Sequence, residues 1–228
     1  MRTIRTLIAI AFFIIASNAT QAQEGWNFGL SGGLNMSWIS QPKVTGEPLN
    51  GDFGSRLSYN VGLSAEYGFN LRFFLLTGIN FDQRGFTYKE GDKTNGTDAT
   101  LKATYLEVPL LFRYNFLEKE TFDIYLLAGP SFAYLTGGKV TGSNYVNGVE
   151  GTIDNKITDS YNSTSFGLKF GLGAEIPFAE NKGATFFDIR YNVGLGDVIK
   201  QGGYYENTDL DATPQVLSFV VGVKGYIE

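Results

Sequence analysis

From Trp26 to Trp38 the chain alternates. Trp26, Phe28, Leu30, Leu34, Met36 and Trp38 share one parity, with Gly32 among them, while Asn27, Gly29, Ser31, Gly33, Asn35 and Ser37 hold the other. Alternate side chains of an extended chain point to opposite faces, so the segment predicts a strand with one greasy face and one small, polar face. The same alternation returns over residues 59–69, 73–82, 106–114, 122–136, 166–176, 187–195 and 217–224. It is weakest in 122–136, where Ile124, Leu126, Ala128 and Phe132 oppose Asp123, Tyr125, Gly129 and Ser131.

Eight such strands, most of them near the about 9–11 residues that cross a bilayer at a tilt, exceed the usual globular strand of about 5–6. No apolar run reaches the roughly 18 residues of a membrane-spanning helix. The connections alternate too: 40–57, 90–103, 137–163 and 199–213 are long and polar, whereas 70–72, 117–121 and 179–183 are short. The pattern predicts an all-β fold, an eight-stranded antiparallel transmembrane β-barrel with short periplasmic turns and long extracellular loops. An even strand number puts both termini on the short-turn side. A soluble sandwich or lipocalin-like barrel would instead hide the apolar parity inside. The large aromatics of that parity would overfill the interior of an eight-stranded barrel, so they belong outside. Trp26, Trp38, Tyr59, Phe69, Phe73, Phe81, Phe116 and Phe178 cluster near strand ends, where interfacial girdles lie.

The polar parity is rich in glycine and carries charges of both signs. Glu66, Asp82, Glu107, Asp123, Glu175 and Asp188 stand against Arg84, Arg113, Lys169, Arg190 and Lys224. This near balance suits a closed lumen in which charges must pair. Glu107 and Arg113 share a face six residues apart, too far to meet at about 3.3 Å per residue. Their partners must come from other strands: Lys169, Arg190 or Lys224 for the acids, and Asp82, Asp123 or Glu175 for the bases. The barrel's shear decides among them, and sequence does not give it. Pro109 and Pro130 fall inside strands that have no free edge, which predicts local bulges there.

The remaining composition narrows the chemistry. Residues 1–22 read as an export signal, with Arg2 and Arg5 ahead of the apolar run from Leu7 to Ala16 and a small-residue cleavage site at Thr20-Gln21-Ala22. The domain expected to remain is 23–228. Losing Arg2 and Arg5 moves the net charge from −5 to −7, and an acidic chain without basic blocks argues against nucleic-acid partners. Cysteine and histidine are absent. That removes disulfides, Cys/His zinc and haem sites, and Ser-His-Asp or Cys-His catalysis; no cofactor, metal site or catalytic residue is expected. Gly171-Leu172-Gly173 lies in a strand pattern with no following helix, so it is no dinucleotide loop. The sequons at Asn95 and Asn162 read as loop polarity, and Asp154 to Asp159 lacks calcium-loop spacing.

Four stretches add a family likeness. YLEVPLLFRY at 105–114, LLAGPSFAYL at 126–135, FGLGAEI at 170–176 and DIRYNVGLGDV at 188–198 resemble the PorT-like outer-membrane β-barrel proteins of Bacteroidetes. The resemblance covers nearly the whole chain after the signal. It implies an outer-membrane location in the cell envelope, and some relatives are implicated in gliding and protein secretion. The resulting expectation is a non-enzymatic monomeric barrel with a filled lumen, surrounded by outer-membrane lipid, acting through its loops or within an envelope or secretion assembly. A narrow pore for small solutes and a lipid-modifying enzyme are the alternatives.

Overall fold

The structure, a computed structural model, describes residues 25–40, 43–44, 47–48, 50–119, 121–156, 162–178, 182–196, 210–211 and 213–227. The expected signal segment, 1–22, lies outside the described residues, as do parts of the connections 40–57, 137–163 and 199–213.

Eight long strands form the body: β1 (Gly25–Ile39), β2 (Asp52–Gly68), β3 (Phe73–Gly91), β4 (Gly96–Glu118), β5 (Asp123–Val146), β6 (Thr164–Phe178), β7 (Gly183–Gly194) and β8 (Pro214–Ile227). Each pairs antiparallel with its sequence neighbours, and β1 pairs with β8, which closes the ring. Closure leaves the ring itself no unpaired edge, the condition for placing strands in lipid.

The register fixes the shear. Stepping around the ring from Trp26 passes Tyr67, Leu75, Phe112, Ala128, Phe170, Tyr191 and Leu217, and returns to β1 at Met36. The return point is ten residues further along, from Trp26 to Met36. With the usual rise and strand spacing, that stagger tilts the strands by roughly 40°.

The two parities segregate as physical chemistry requires. Phe28, Leu30, Leu34, Leu63, Phe112, Phe170, Ile189 and Phe219 are exposed on the outside, while the lumen-facing charges are buried. In a membrane the outer face contacts lipid, so its exposure to solvent in isolation is its normal state.

Three of the long polar connections are not simply loops. Segment 90–103 is a β-hairpin, with β3 running to Gly91 and β4 resuming at Gly96. Strand β5 likewise continues to Val146, turns at Asn147-Gly148, and returns as Val149–Lys156 along its own outer edge. Asn147 (φ 51°) and Gly148 (φ 79°) both adopt the left-handed conformation that a two-residue hairpin turn demands. β2 begins at Asp52, inside the segment 40–57. At 90–98 and 137–156 no hydrophobic side chain is buried, so apolar alternation fades there although the backbone stays paired.

The prolines also behave differently from expectation. Register slips occur at Thr104/Tyr105 and Asn115/Leu117 rather than at Pro109 or Pro130. At both prolines a ladder is interrupted but keeps its register: Pro109 is skipped between the pairs Thr77–Leu110 and Asn80–Glu107, and Pro130 between Pro109–Ser131 and Phe112–Ala128. The missing N–H breaks the ladder locally without demanding an extra residue, and the Pro109 carbonyl accepts the Thr77 hydroxyl at 2.8 Å.

Candidate functional site

The lumen is filled by stacked layers of polar and charged side chains. The layer toward the short-turn end draws one charge from each even-numbered strand: Glu66 of β2, Arg113 of β4, Glu175 of β6 and Lys224 of β8. The signs alternate around the ring, and every neighbouring pair makes contact. Arg113 Nη1 lies 3.2 Å from Glu66 and 2.6 Å from Glu175, and Lys224 Nζ lies 2.6 Å from Glu66 and 2.7 Å from Glu175. The four side chains form a closed, neutral square in which each charge has two opposite neighbours.

The strands between them make room. β1 places Gly29 beside Lys224 in register, β7 places Ala184 there, and β3 places Phe74 and Leu76 beside Arg113 and Glu66. Arg113 also stacks its guanidinium on Tyr125 at 3.9 Å and on Phe74 at 4.8 Å. Further hydrogen bonds occupy the remaining groups: Asn27 donates to Glu66, Arg113 Nε donates to Asn115, and the Tyr226 hydroxyl donates to Glu175. A buried ion pair repays its desolvation only when such bonds complete it, and here they do.

Tyr125 links this square to the next layer. Its hydroxyl donates to Asp188, which also receives Arg190 Nε at 2.9 Å. Gly173 lies beneath this junction, where a Cβ would overlap Asp188 Oδ1 and the Tyr125 ring. Leu76, Leu111 and Leu127 pack with Tyr125 at the same level.

Above lies an alternating chain of four charges. Arg84 binds Asp82 through Nε at 2.7 Å and also binds Glu107, and Glu107 binds Lys169. Asn35 donates to Asp82 and accepts from Asn60. Lys169 reaches Glu107 past β5, whose lumen face at this height offers only Gly129, Ser131 and Ala133. Glu107 is wholly inaccessible to solvent. Toward the outer end the lumen turns apolar, where Ile39, Leu101, Ala103, Tyr105 and Val216 leave a cavity of about 30 Å³. A second cavity of about 130 Å³ opens beneath the square, at the short-turn mouth.

Ten of the eleven charged positions expected to share the lumen meet in these layers: Glu66, Asp82, Arg84, Glu107, Arg113, Lys169, Glu175, Asp188, Arg190 and Lys224. Asp123 does not. It is the first residue of β5, lines the mouth cavity and sits in register beside Glu118 and Glu175 rather than beside a cation. Its parity is that of the lumen, but its height places it at the rim. Leaving it out turns the six-to-five count into five acids and five bases.

Sequence reasoning passed over the neutral partners, namely Asn27, Asn35, Asn60, Asn115, Tyr125 and Tyr226. Their shared parity with the charges was a usable signal. Among the described residues no group of carboxylates is arranged to hold a metal ion.

Comparison with known proteins agrees with this geometry. The family model described as outer membrane protein beta-barrel domain matches residues 20–200. The fold is similar to that of outer membrane protein OprG from Pseudomonas aeruginosa, with 14% identity, a TM-score of 0.53 and coverage of 91% of this chain and 100% of that one. It is also similar to the outer membrane protease OmpT from Escherichia coli, with 12% identity, a TM-score of 0.50 and coverage of 93% and 100%. Ail, the attachment invasion locus protein of Yersinia pestis, aligns at 17% identity and a TM-score of 0.38 over 89% and 98%. A search of curated proteins finds no match. At these identities the likeness concerns the fold. A protease is among the proteins that share it, so the fold alone does not decide whether a member is a catalyst.

Proposed function

The chain belongs to the outer membrane protein beta-barrel domain family, and we propose that it is a non-catalytic barrel with a filled lumen. It resides in the outer membrane. In this reading it acts as a monomer through its extracellular hairpins, or as a component of an envelope or secretion assembly, as the resemblance to PorT-like proteins of Bacteroidetes implies.

The observation that carries the reading is the paired set of buried lumen charges. Ten buried charges cancel in three layers, and each of the five carboxylates among them contacts at least one cation. A conducting pore needs a hydrated path, and eight strands leave none once side chains fill the interior. A carboxylate acting as general base needs a free lone pair aimed at a substrate, whereas these are bound to arginine and lysine.

Single-channel recording in planar bilayers tests the proposal. The expected result is no stable open state. A reproducible conductance step would overturn the filled-lumen reading and favour the narrow pore.

A further inference from the structure

On the lipid face the register creates a notch. At the rung nearest the short-turn side, Phe178 of β6, Gly183 of β7, Gly225 of β8 and Phe28 of β1 lie side by side. The Phe178 ring covers Gly183, where a Cβ would meet it at 2.9 Å, so the outer surface drops by a side chain's depth at Gly225 alone, between Phe178 and Phe28. The Gly225 site is open: a Cβ there would find nothing nearer than the Lys182 carbonyl at 4.0 Å. The depression has a volume of about 490 Å³. A second groove of about 560 Å³ lies further up the same seam, where Leu34, Ala174, Phe187 and Val221 line it. Val223 and Val221 of β8 lead from one to the other.

Lys182 lines the lower end of the notch. Its turn is tied to the barrel, because the Tyr226 amide donates to the Lys182 carbonyl at 3.1 Å. No acidic side chain is among the described residues lining this depression.

We infer that this notch is a binding site for one glycerophospholipid of the periplasmic leaflet. The Lys182 ammonium meets the phosphate at the membrane interface. An acyl chain lies over Gly225, between Phe178 and Phe28, and continues along β8. The two features are complementary to the two halves of that molecule: a cation at the depth of a headgroup, and an apolar trench rising from it. The inference rests on the outer-membrane location and not on whether the lumen is filled.

Native mass spectrometry of the full-length mature protein tests it. The protein is reconstituted in phosphatidylglycerol vesicles and extracted into mild detergent. The parent is expected to carry one retained phospholipid. Gly225→Leu fills the notch from an unobstructed position and is expected to abolish retention while preserving heat-modifiable migration. Lys182→Gln is expected to lower retention roughly fivefold, the effect of losing one lysine near a lipid headgroup. Lys119→Gln, in another short turn, is expected to leave it unchanged. Retention equal to the parent in both notch variants would overturn the site. Loss in Gly225→Leu alone would overturn phosphate recognition by Lys182. A cross-linked dimer abolished by Gly225→Leu would overturn the lipid in favour of a second copy of the chain.

Discussion

Two lysine–carboxylate pairs of almost equal length sit at opposite ends of this protein. Lys139 and Asp154 approach to 2.9 Å in the hairpin above the barrel, and Lys224 and Glu175 approach to 2.7 Å inside it. The side chains of the first pair are 49% and 59% exposed, and those of the second 7% and 3%. Distance therefore says little about energy. The outer pair exchanges water for a screened contact that is worth about 0–1 kcal/mol. The inner pair is almost wholly withdrawn from solvent, so its members depend on one another.

The largest expected effect breaks the inner square. Arg113→Ala leaves Glu66 and Glu175 sharing Lys224 alone and also removes the stack on Tyr125. Breaking a buried pair typically costs about 3–5 kcal/mol, and urea unfolding in one detergent should show a loss of that size. The double variant Arg113→Met, Glu175→Met restores neutrality, keeping Lys224 against Glu66. It should cost clearly less than the two single variants added together. Simple additivity would mean that the square is four independent, hydrated groups, and the contrast with the outer pair would collapse.

The next effect concerns the opposite face of the same wall. Leu168 lies on the lipid side beside Lys169, which points inward to Glu107. Leu168→Arg should cost about 2–4 kcal/mol, as a cation near mid-membrane does on an outward face. Folding yield into lipid vesicles would report it. Insertion as efficient as the parent's would mean that the faces are assigned backwards.

Much of this was legible in the alternation itself. Parity along each strand separates lipid-facing Leu168 from lumen-facing Lys169 without any structure. What parity cannot supply is height. Asp123 has the parity of the lumen yet sits at its rim, because a residue's depth depends on where its strand starts. Nor does parity give partners: Arg84 reaches Glu107 although their register neighbours are Ala103 and Asn80. The ten-residue stagger decides such diagonals, and it emerges only from the eight registers together. The extent of the outer hairpins was hidden for a different reason. Residues 90–98 and 137–156 hold no buried hydrophobic side chain, so nothing compels an apolar face.

A smaller effect sharpens the outer half of the comparison. Lys139→Ala should change stability by no more than about 1 kcal/mol, and by less still at high salt. Thermal unfolding at two ionic strengths would test this. A loss as large as that of Arg113→Ala would show that the hairpin is bound as tightly as the lumen.

The smallest expected effect lies at the tip of the other hairpin. In the turn after β3, the Asp92 carboxylate accepts the backbone amides of Asn95 at 3.0 Å and Thr94 at 2.7 Å. These two bonds, Asn95's first, hold the Asp92 carboxyl below the ordinary aspartate range. A group whose folded pKa is depressed contributes stability above its unfolded value, and loses it as pH falls through the folded value. The turn should therefore be tightest at neutral pH and loosen below about pH 4, where free aspartates protonate. Asp92 is fully exposed, so the response should stay local to the turn and leave global unfolding unchanged. Carboxyl chemical shifts followed through an acid titration of the detergent-solubilised protein would show an Asp92 midpoint below that of a free aspartate. A midpoint at or above the free value would mean that the two amide bonds do not persist, and that the hairpin tip, unlike the lumen, holds no fixed electrostatic arrangement.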